Sequence, residues 1–152
     1  MKKQVIYSSL MFLSLVFLFG TATSCNRKWC TYSAAENYSS KSKKDDGSCT
    51  YARTKFLGTY ATNENCSSGT DSYSISVTES STGKALIVIS NFYNISVTVT
   101  ATVTGSTFSF NETKSGINFS GSGSISGSAL TINFTASAGG ATDVCTMNCI
   151  KQ

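Results

Sequence analysis

Six cysteines, at positions 25, 30, 49, 66, 145 and 149, are the residues best able to do chemistry in this 152-residue chain. There is no histidine to assist them. That excludes a Ser-His-Asp or Cys-His unit and a histidine-ligated metal, and leaves a thiol nucleophile without its usual base. Paired carboxylates can hydrolyse glycosides. Beyond residue 55, however, the acids are Glu64, Asp71, Glu79, Glu112 and Asp143, most of them beside turn signals. They are expected to be solvated charges. Gly121-Ser122-Gly123 lies in a strand-like run with no helix after it, so it marks a bend or a close backbone approach and not a phosphate loop. No enzyme activity, cofactor or metal is expected.

Cys25 is set apart by what precedes it. Lys2-Lys3 open the chain, an apolar run spans residues 10–19, and Ala22-Thr23-Ser24-Cys25 follows Gly20. This is the layout of a secretory leader, and the run falls short of the roughly 20 apolar residues that span a bilayer. Ala22-Thr23-Ser24-Cys25 resembles the bacterial lipobox. The resemblance implies cleavage before Cys25, acylation of its thiol and of the new N-terminus, and a membrane as partner. Each buried CH₂ adds about 0.8 kcal/mol, and more than one chain gives stable anchoring. Asn26 stands where an inner-membrane retention signal would have Asp. The implied address is the cell envelope, at the outer membrane, on its periplasmic face or on the cell surface.

Residues 30–51 resemble a cysteine-bounded module of secreted Bacteroidetes proteins. Cys30, Ala35, Asn37, Tyr38, Asp45, Asp46, Gly47, Ser48, Cys49 and Tyr51 carry the match, and the lysines at 41, 43 and 44 depart from it. The resemblance implies a Cys30–Cys49 disulfide and a spacer. A segment this short buries no core, so a cross-link stabilises it by restricting the unfolded chain. Asp45 and Asp46 read as turn residues; calcium wants six to eight oxygens. Residues 27–55 carry seven basic and three acidic groups, and residues 56–152 carry three and five. The basic part sits beside the anchor, where it would attract anionic lipid, and is too sparse for nucleic acid.

The elements that must position these groups are strands. Ile95, Val97, Val99, Ala101 and Val103 alternate with Ser and Thr, as do Leu130, Ile132, Phe134 and Ala136. Turn signals divide residues 56–152 into eight runs, near 56–66, 71–79, 84–90, 94–104, 106–111, 117–126, 129–137 and 141–150. Short connections make neighbours pair as hairpins, and closure removes exposed edges. The fold class is all-β, an eight-stranded antiparallel meander closed as a small barrel, with a β-sandwich as the alternative. The expected domains are 1–24 leader, 25–54 lipid-anchored stapled spacer and 55–152 barrel. Phe56-Leu57-Gly58-Thr59-Tyr60 resembles the Gly-x-Trp opening strand of calycins, the lipocalin-type barrels, with Tyr60 for Trp. The last strand lacks the calycin Arg. Residues 56–152 also resemble small Bacteroidetes lipoproteins, which implies compartment and β-fold but no activity.

In a closed meander the first and last strands are neighbours, so Cys66 can bond Cys145 or Cys149. A loop of about 80 residues closed this way contributes about 4 kcal/mol in the chain-entropy model. Cys145 and Cys149, about 13 Å apart on one strand face, cannot bond each other. One thiol is left, either buried and inert or paired across to another chain. The function expected is a membrane-anchored, non-enzymatic binding or structural domain. One alternative is a carrier of a small apolar ligand in a cavity lined by Tyr60, Phe108, Phe110, Phe119 and Phe134. The other is a hydrolase inhibitor contacting its envelope protein partner through Ser67–Thr70 and Ser80–Gly83.

Overall fold

The computed structural model describes residues 29–152; the leader and Cys25 lie outside the described residues. Eight strands follow a short 3-10 helix, Ala52–Phe56: β1 Gly58–Cys66, β2 Gly69–Glu79, β3 Leu86–Phe92, β4 Val97–Thr104, β5 Thr107–Lys114, β6 Ile117–Ser126, β7 Ala129–Ala138 and β8 Ala141–Lys151. Each pairs antiparallel with the next, and β8 returns to β1, giving one closed barrel and not a sandwich. The closing ladder runs from Tyr60 opposite Lys151 to Cys66 opposite Cys145.

Period-two alternation builds the wall. On β4, Val97, Val99, Ala101 and Val103 are buried while Thr98, Thr102 and Thr104 are exposed. On β7, Leu130, Ile132, Phe134 and Ala136 are buried between Thr and Asn neighbours. Apolar residues face inward and hydroxyls outward, the reverse of a membrane-spanning barrel. Ser115-Gly116 and Gly139-Gly140 have positive φ at both positions, the geometry that joins twisted strands through two residues.

One strand boundary departs from expectation. Ile95 was to begin an inward-facing row, yet β4 starts at Val97 and Ile95 is 44% exposed. Asn91, Tyr93, Asn94 and Ser96 adopt φ between 51° and 57°; Asn91 sits at the irregularity of β3 between Ser90 and Phe92, and the other three lie in the connection, where no extended row can run. The Tyr93 ring packs on Phe119 and Phe134, and its hydroxyl donates to Asp143 Oδ2 at 2.7 Å. Those contacts hold the connection in its left-handed conformation.

The interior is filled with rings. Phe92 meets Phe110, Phe119 and Phe134 at centroid distances of 5.3, 5.5 and 4.8 Å. The base of the barrel is plugged by the 3-10 helix. Its Phe56 is fully buried, edge-on to Phe108 at 5.4 Å. Arg53, 2% exposed, donates to the carbonyls of Ser80 and Gly83 and to Glu79 Oε2, tying the plug to the β2–β3 connection. Gly121 and Gly123 make room for this packing. A Cβ at Gly123 would lie 2.3 Å from the Phe108 ring, and one at Gly121 would lie 2.5 Å from Phe134 Cβ. The tripeptide is thus a site of close approach, as its position in a strand run suggested.

The Cys30–Cys49 disulfide is present. Asn37 donates to the Ser48 carbonyl and accepts from Thr50 N, closing the module across its staple. Asp45 and Asp46 accept from Gly47 N and Ser48 N, as turn residues do. Lys55 reaches Glu36 at 2.6 Å, linking the module to the base of the barrel.

Gly123→Ala should destabilise the protein by about 1–3 kcal/mol, the usual cost of overpacking, because Phe108 is held between Phe56 and Phe110. Ser124→Ala, on the exposed side of the same strand, should change stability by less than about 0.5 kcal/mol. Urea denaturation midpoints read both.

Candidate functional site

The end opposite the plug holds the polar chemistry. β1 and β2 join there through Ser67-Ser68, and the Tyr93 loop folds across toward β8. Glu64, at the inward parity of β1 with Tyr60 and Thr62, is only 7% exposed. Its Oε2 accepts a short hydrogen bond from the Tyr73 hydroxyl. Its Oε1 lies 3.3 Å from Cys66 Sγ. That sulfur is bonded to Cys145 and carries no hydrogen to donate. One oxygen of a buried carboxyl therefore has no donor among these contacts.

Burial raises the Glu64 carboxyl above its ordinary range, and the nearby Asp71 and Asp143 charges push the same way against the Tyr73 hydrogen bond. Burial, then the Glu64 carboxyl, raises the Tyr73 phenol well above its usual value. Asp143 is driven the other way. Ser67 Oγ donates to its Oδ1 at 2.5 Å, Ser68 Oγ to Oδ2, Ser68 N to Oδ1 at 2.9 Å, and Tyr93 to Oδ2. These donors, Ser67 first, hold Asp143 ionised far below the ordinary carboxylate range. It clasps the β1–β2 turn, β8 and the Tyr93 loop together. The bond to that carboxylate in turn raises the Tyr93 phenol.

Two shallow recesses open beside the clasp. One, of about 380 Å³, has Tyr93, Ile117, Ala136 and Ala138 as walls and Ser68 and Asp143 as polar edge. The other, of about 280 Å³, is bordered by Glu64, Ser68, Asp71 and Tyr93. Glu64, Asp71 and Asp143 make this end acidic, and its Lys114 lies 3.3 Å from Glu112. The plugged base carries Arg53, Lys55, Lys84 and Lys151. The mouth can offer hydrogen-bond acceptors and an apolar wall. Its serine hydroxyls donate to an ionised carboxylate, an arrangement with no base strong enough to activate them.

Tyr60, Phe108, Phe110, Phe119 and Phe134 all point inward and are at most 6% exposed. The four phenylalanines share one aromatic cluster with Phe92 or Phe56. Tyr60 sits nearer the base, its hydroxyl donating to the Phe56 carbonyl at 2.8 Å. Cys66 pairs with Cys145, and Cys149 is a buried free thiol accepting from Thr62 Oγ1 at 3.4 Å. Burial raises the Cys149 thiol above its ordinary value, as an inert thiol requires. Glu64, Cys66 and Cys145 place ligand atoms within 4.8 Å of one another, but the two sulfurs are spent on each other. Ser67–Thr70 lies at the mouth and Ser80–Gly83 at the base, so they do not form one contact surface.

The buried state of Glu64 corrects its reading as a solvated charge. Its parity with Tyr60 was the available signal, and its closeness to a turn masked it. Compared with known proteins, the chain matches no family model, no curated protein and no solved structure. The barrel has a lipocalin-like shape, and the disulfides of module and barrel, Cys30–Cys49 and Cys66–Cys145, point to an oxidising, extracytoplasmic compartment.

Glu64 and Asp143 should shape stability in opposite senses. Glu64 holds its proton in the folded state above the pH, near its ordinary 4.5, at which the unfolded chain releases it. Stability therefore falls as pH rises from there toward the raised folded value, and Glu64→Gln should gain on the wild type as pH rises above the ordinary 4.5. Asp143 stays ionised when folded, so its contribution is present above its ordinary 3.8 and lost below it. Asp143→Asn should cost stability at neutral pH and little in acid. Chemical denaturation across pH reads both slopes. Among the cysteines of the described residues, thiol titration should detect none reactive when the protein is folded and one, Cys149, after unfolding.

Proposed function

We propose that this chain is a lipid-anchored protein of the bacterial envelope, at the outer membrane, whose barrel binds a partner or ligand at its mouth without catalysis. The observation that carries this reading is the contrast between the two parts of the barrel. Its lumen is occupied by interlocking aromatic side chains, while the open end holds a buried carboxyl with an unused acceptor oxygen. Recognition chemistry is thus concentrated at the rim. Lipid attachment rests on Ala22-Thr23-Ser24-Cys25 and agrees with an oxidising compartment. The absence of a catalytic role rests on the missing histidine, the saturated Asp143 and the buried, high-pKa Cys149.

A carrier of a small apolar ligand is the second reading, favoured by the lipocalin-like shape. It requires Phe92, Phe110, Phe119 and Phe134 to part and open a cavity. A hydrolase inhibitor would be a special case of rim binding, with Ser67–Thr70 as the contact segment.

Intact-mass measurement of the protein from bacterial membranes should find a chain beginning at Cys25 with the added mass of acyl groups. Cys25→Ser should release it into the soluble fraction. An unmodified, freely diffusing mature chain would remove the anchor from this proposal. A fluorescent fatty-acid probe should give no saturable signal with the Cys25→Ser protein, and saturable binding would favour the carrier instead.

A further inference from the structure

The stapled module leaves uncovered what a folded domain normally hides. Of its apolar residues, only Cys30 and Ala35 are buried. Trp29, Tyr32 and Tyr38 are 51%, 55% and 46% exposed and lie within ten residues of one another in the chain, whereas the exposed large apolar residues of the barrel, Ile95, Val144 and Ile150, are aliphatic and fall on separate segments. Lys41, Lys43 and Lys44 are exposed beside them. Hydrogen bonds bring the backbone of Trp29 to Ser42 and Lys44, and that of Cys30 to Tyr38 and Ser39. Trp29 N donates to Ser42 Oγ and to the Lys44 carbonyl, and Ser42 Oγ donates to the carbonyls of Trp29 and Lys44. Tyr38 bridges to Cys30, whose carbonyl accepts from Ser39 N.

Aromatic side chains with one apolar and one polar aspect settle at the headgroup level of a bilayer, and lysines near the surface are drawn to anionic lipid. Residues 29–51 balance Lys41, Lys43 and Lys44 against Glu36, Asp45 and Asp46. Glu36 pairs with Lys55, while Asp45 and Asp46 accept from Gly47 N and Ser48 N and keep their charge, so the basic excess of this end comes from the residues on either side of the module. Arg27 and Lys28 add two positive charges between Cys25 and Trp29. Trp29 lies four positions along the chain from Cys25, a span of at most about 14 Å. An acyl group on Cys25 therefore holds Trp29 near the headgroups, within reach of an unscreened surface charge.

We propose that the Cys30–Cys49 module is a second membrane contact: Trp29, Tyr32 and Tyr38, with Lys41, Lys43 and Lys44, seat on an anionic bilayer surface. The module continues into the plugged base through Tyr51, whose ring lies under Arg53 and Lys84, and through the Lys55–Glu36 pair. The base accordingly faces the membrane and the acidic mouth faces away from it. The placement of the bilayer rests on the reading of Cys25 as the lipid site; the affinity of the module for lipid does not.

The test uses the mature chain with Cys25→Ser, which has no acyl group, so a failed lipid-anchor reading leaves the outcome untouched. Trp29 is the sole tryptophan and reports directly. Vesicles of phosphatidylcholine with about a third phosphatidylglycerol should shift its emission to the blue and protect it from acrylamide. High salt should reverse the shift. Replacing Lys41, Lys43 and Lys44 together by Ala should weaken partitioning about tenfold or more. All three side chains are exposed, so the barrel should keep its circular dichroism and melting temperature. Unchanged Trp29 emission with a folded barrel would overturn the proposal. So would an equal shift on pure phosphatidylcholine, or a lysine-free variant that binds as well as its parent.

Discussion

The hydrogen-bonded ladder between β1 and β8 is the constraint on which the rest depends. A meander of eight short strands has two edges, and each edge is a row of unpaired backbone groups. Pairing Tyr60–Cys66 with Cys145–Lys151 removes both at once and encloses the inward rows of all eight strands in one core. The Cys66–Cys145 bond sits at the mouth end of that ladder, spanning 79 residues. It limits the freedom of the unfolded chain more than the local staple does, by about 1 kcal/mol, because the entropy removed grows with the logarithm of the loop enclosed.

Closure also decides where polarity can live. A small barrel has little interior to spare, and here rings from β3, β5, β6 and β7 occupy it, with Gly121 and Gly123 thinning one wall to admit Phe134 and Phe108. The base is sealed by Phe56 and latched by Arg53. Polar groups that point inward are tolerable only where solvent or each other can satisfy them. Glu64 meets that condition by sharing a proton-rich contact with Tyr73 at the open end, and Asp143 by collecting donors from three segments. The mouth thus gathers Glu64, Asp71 and Asp143, while Arg53, Lys55, Lys84 and Lys151 lie at the base with Glu79.

Much of the barrel was legible because side-chain period is an inescapable feature of strands. The Val-Thr row of β4 and the Leu-Ile-Phe-Ala row of β7 declare which face is inward before any tertiary contact is known. The Tyr93 loop was half legible. A break between residues 90 and 94 was expected, but Asn94-Ile95-Ser96 alternates well enough to pass for strand, and only the docking of the Tyr93 ring on Phe119 and Phe134, with its hydroxyl on Asp143, extends the left-handed connection to Ser96. The mouth was half legible. Glu64 had the right parity, but its partner Tyr73 lies on another strand at a register no local pattern reveals.

By itself the sequence determined the strand count, most of the inward rows and turns and the absence of imidazole chemistry, since each follows from residue types at local spacing. Only the tertiary structure chose Cys145 over Cys149 as partner for Cys66, because both share one face of β8 and the choice rests on the β1–β8 register. It alone brought Glu64, Tyr73, Tyr93 and Asp143 to one rim, since burial and hydrogen bonding between distant segments are properties of closure and not of neighbours along the chain.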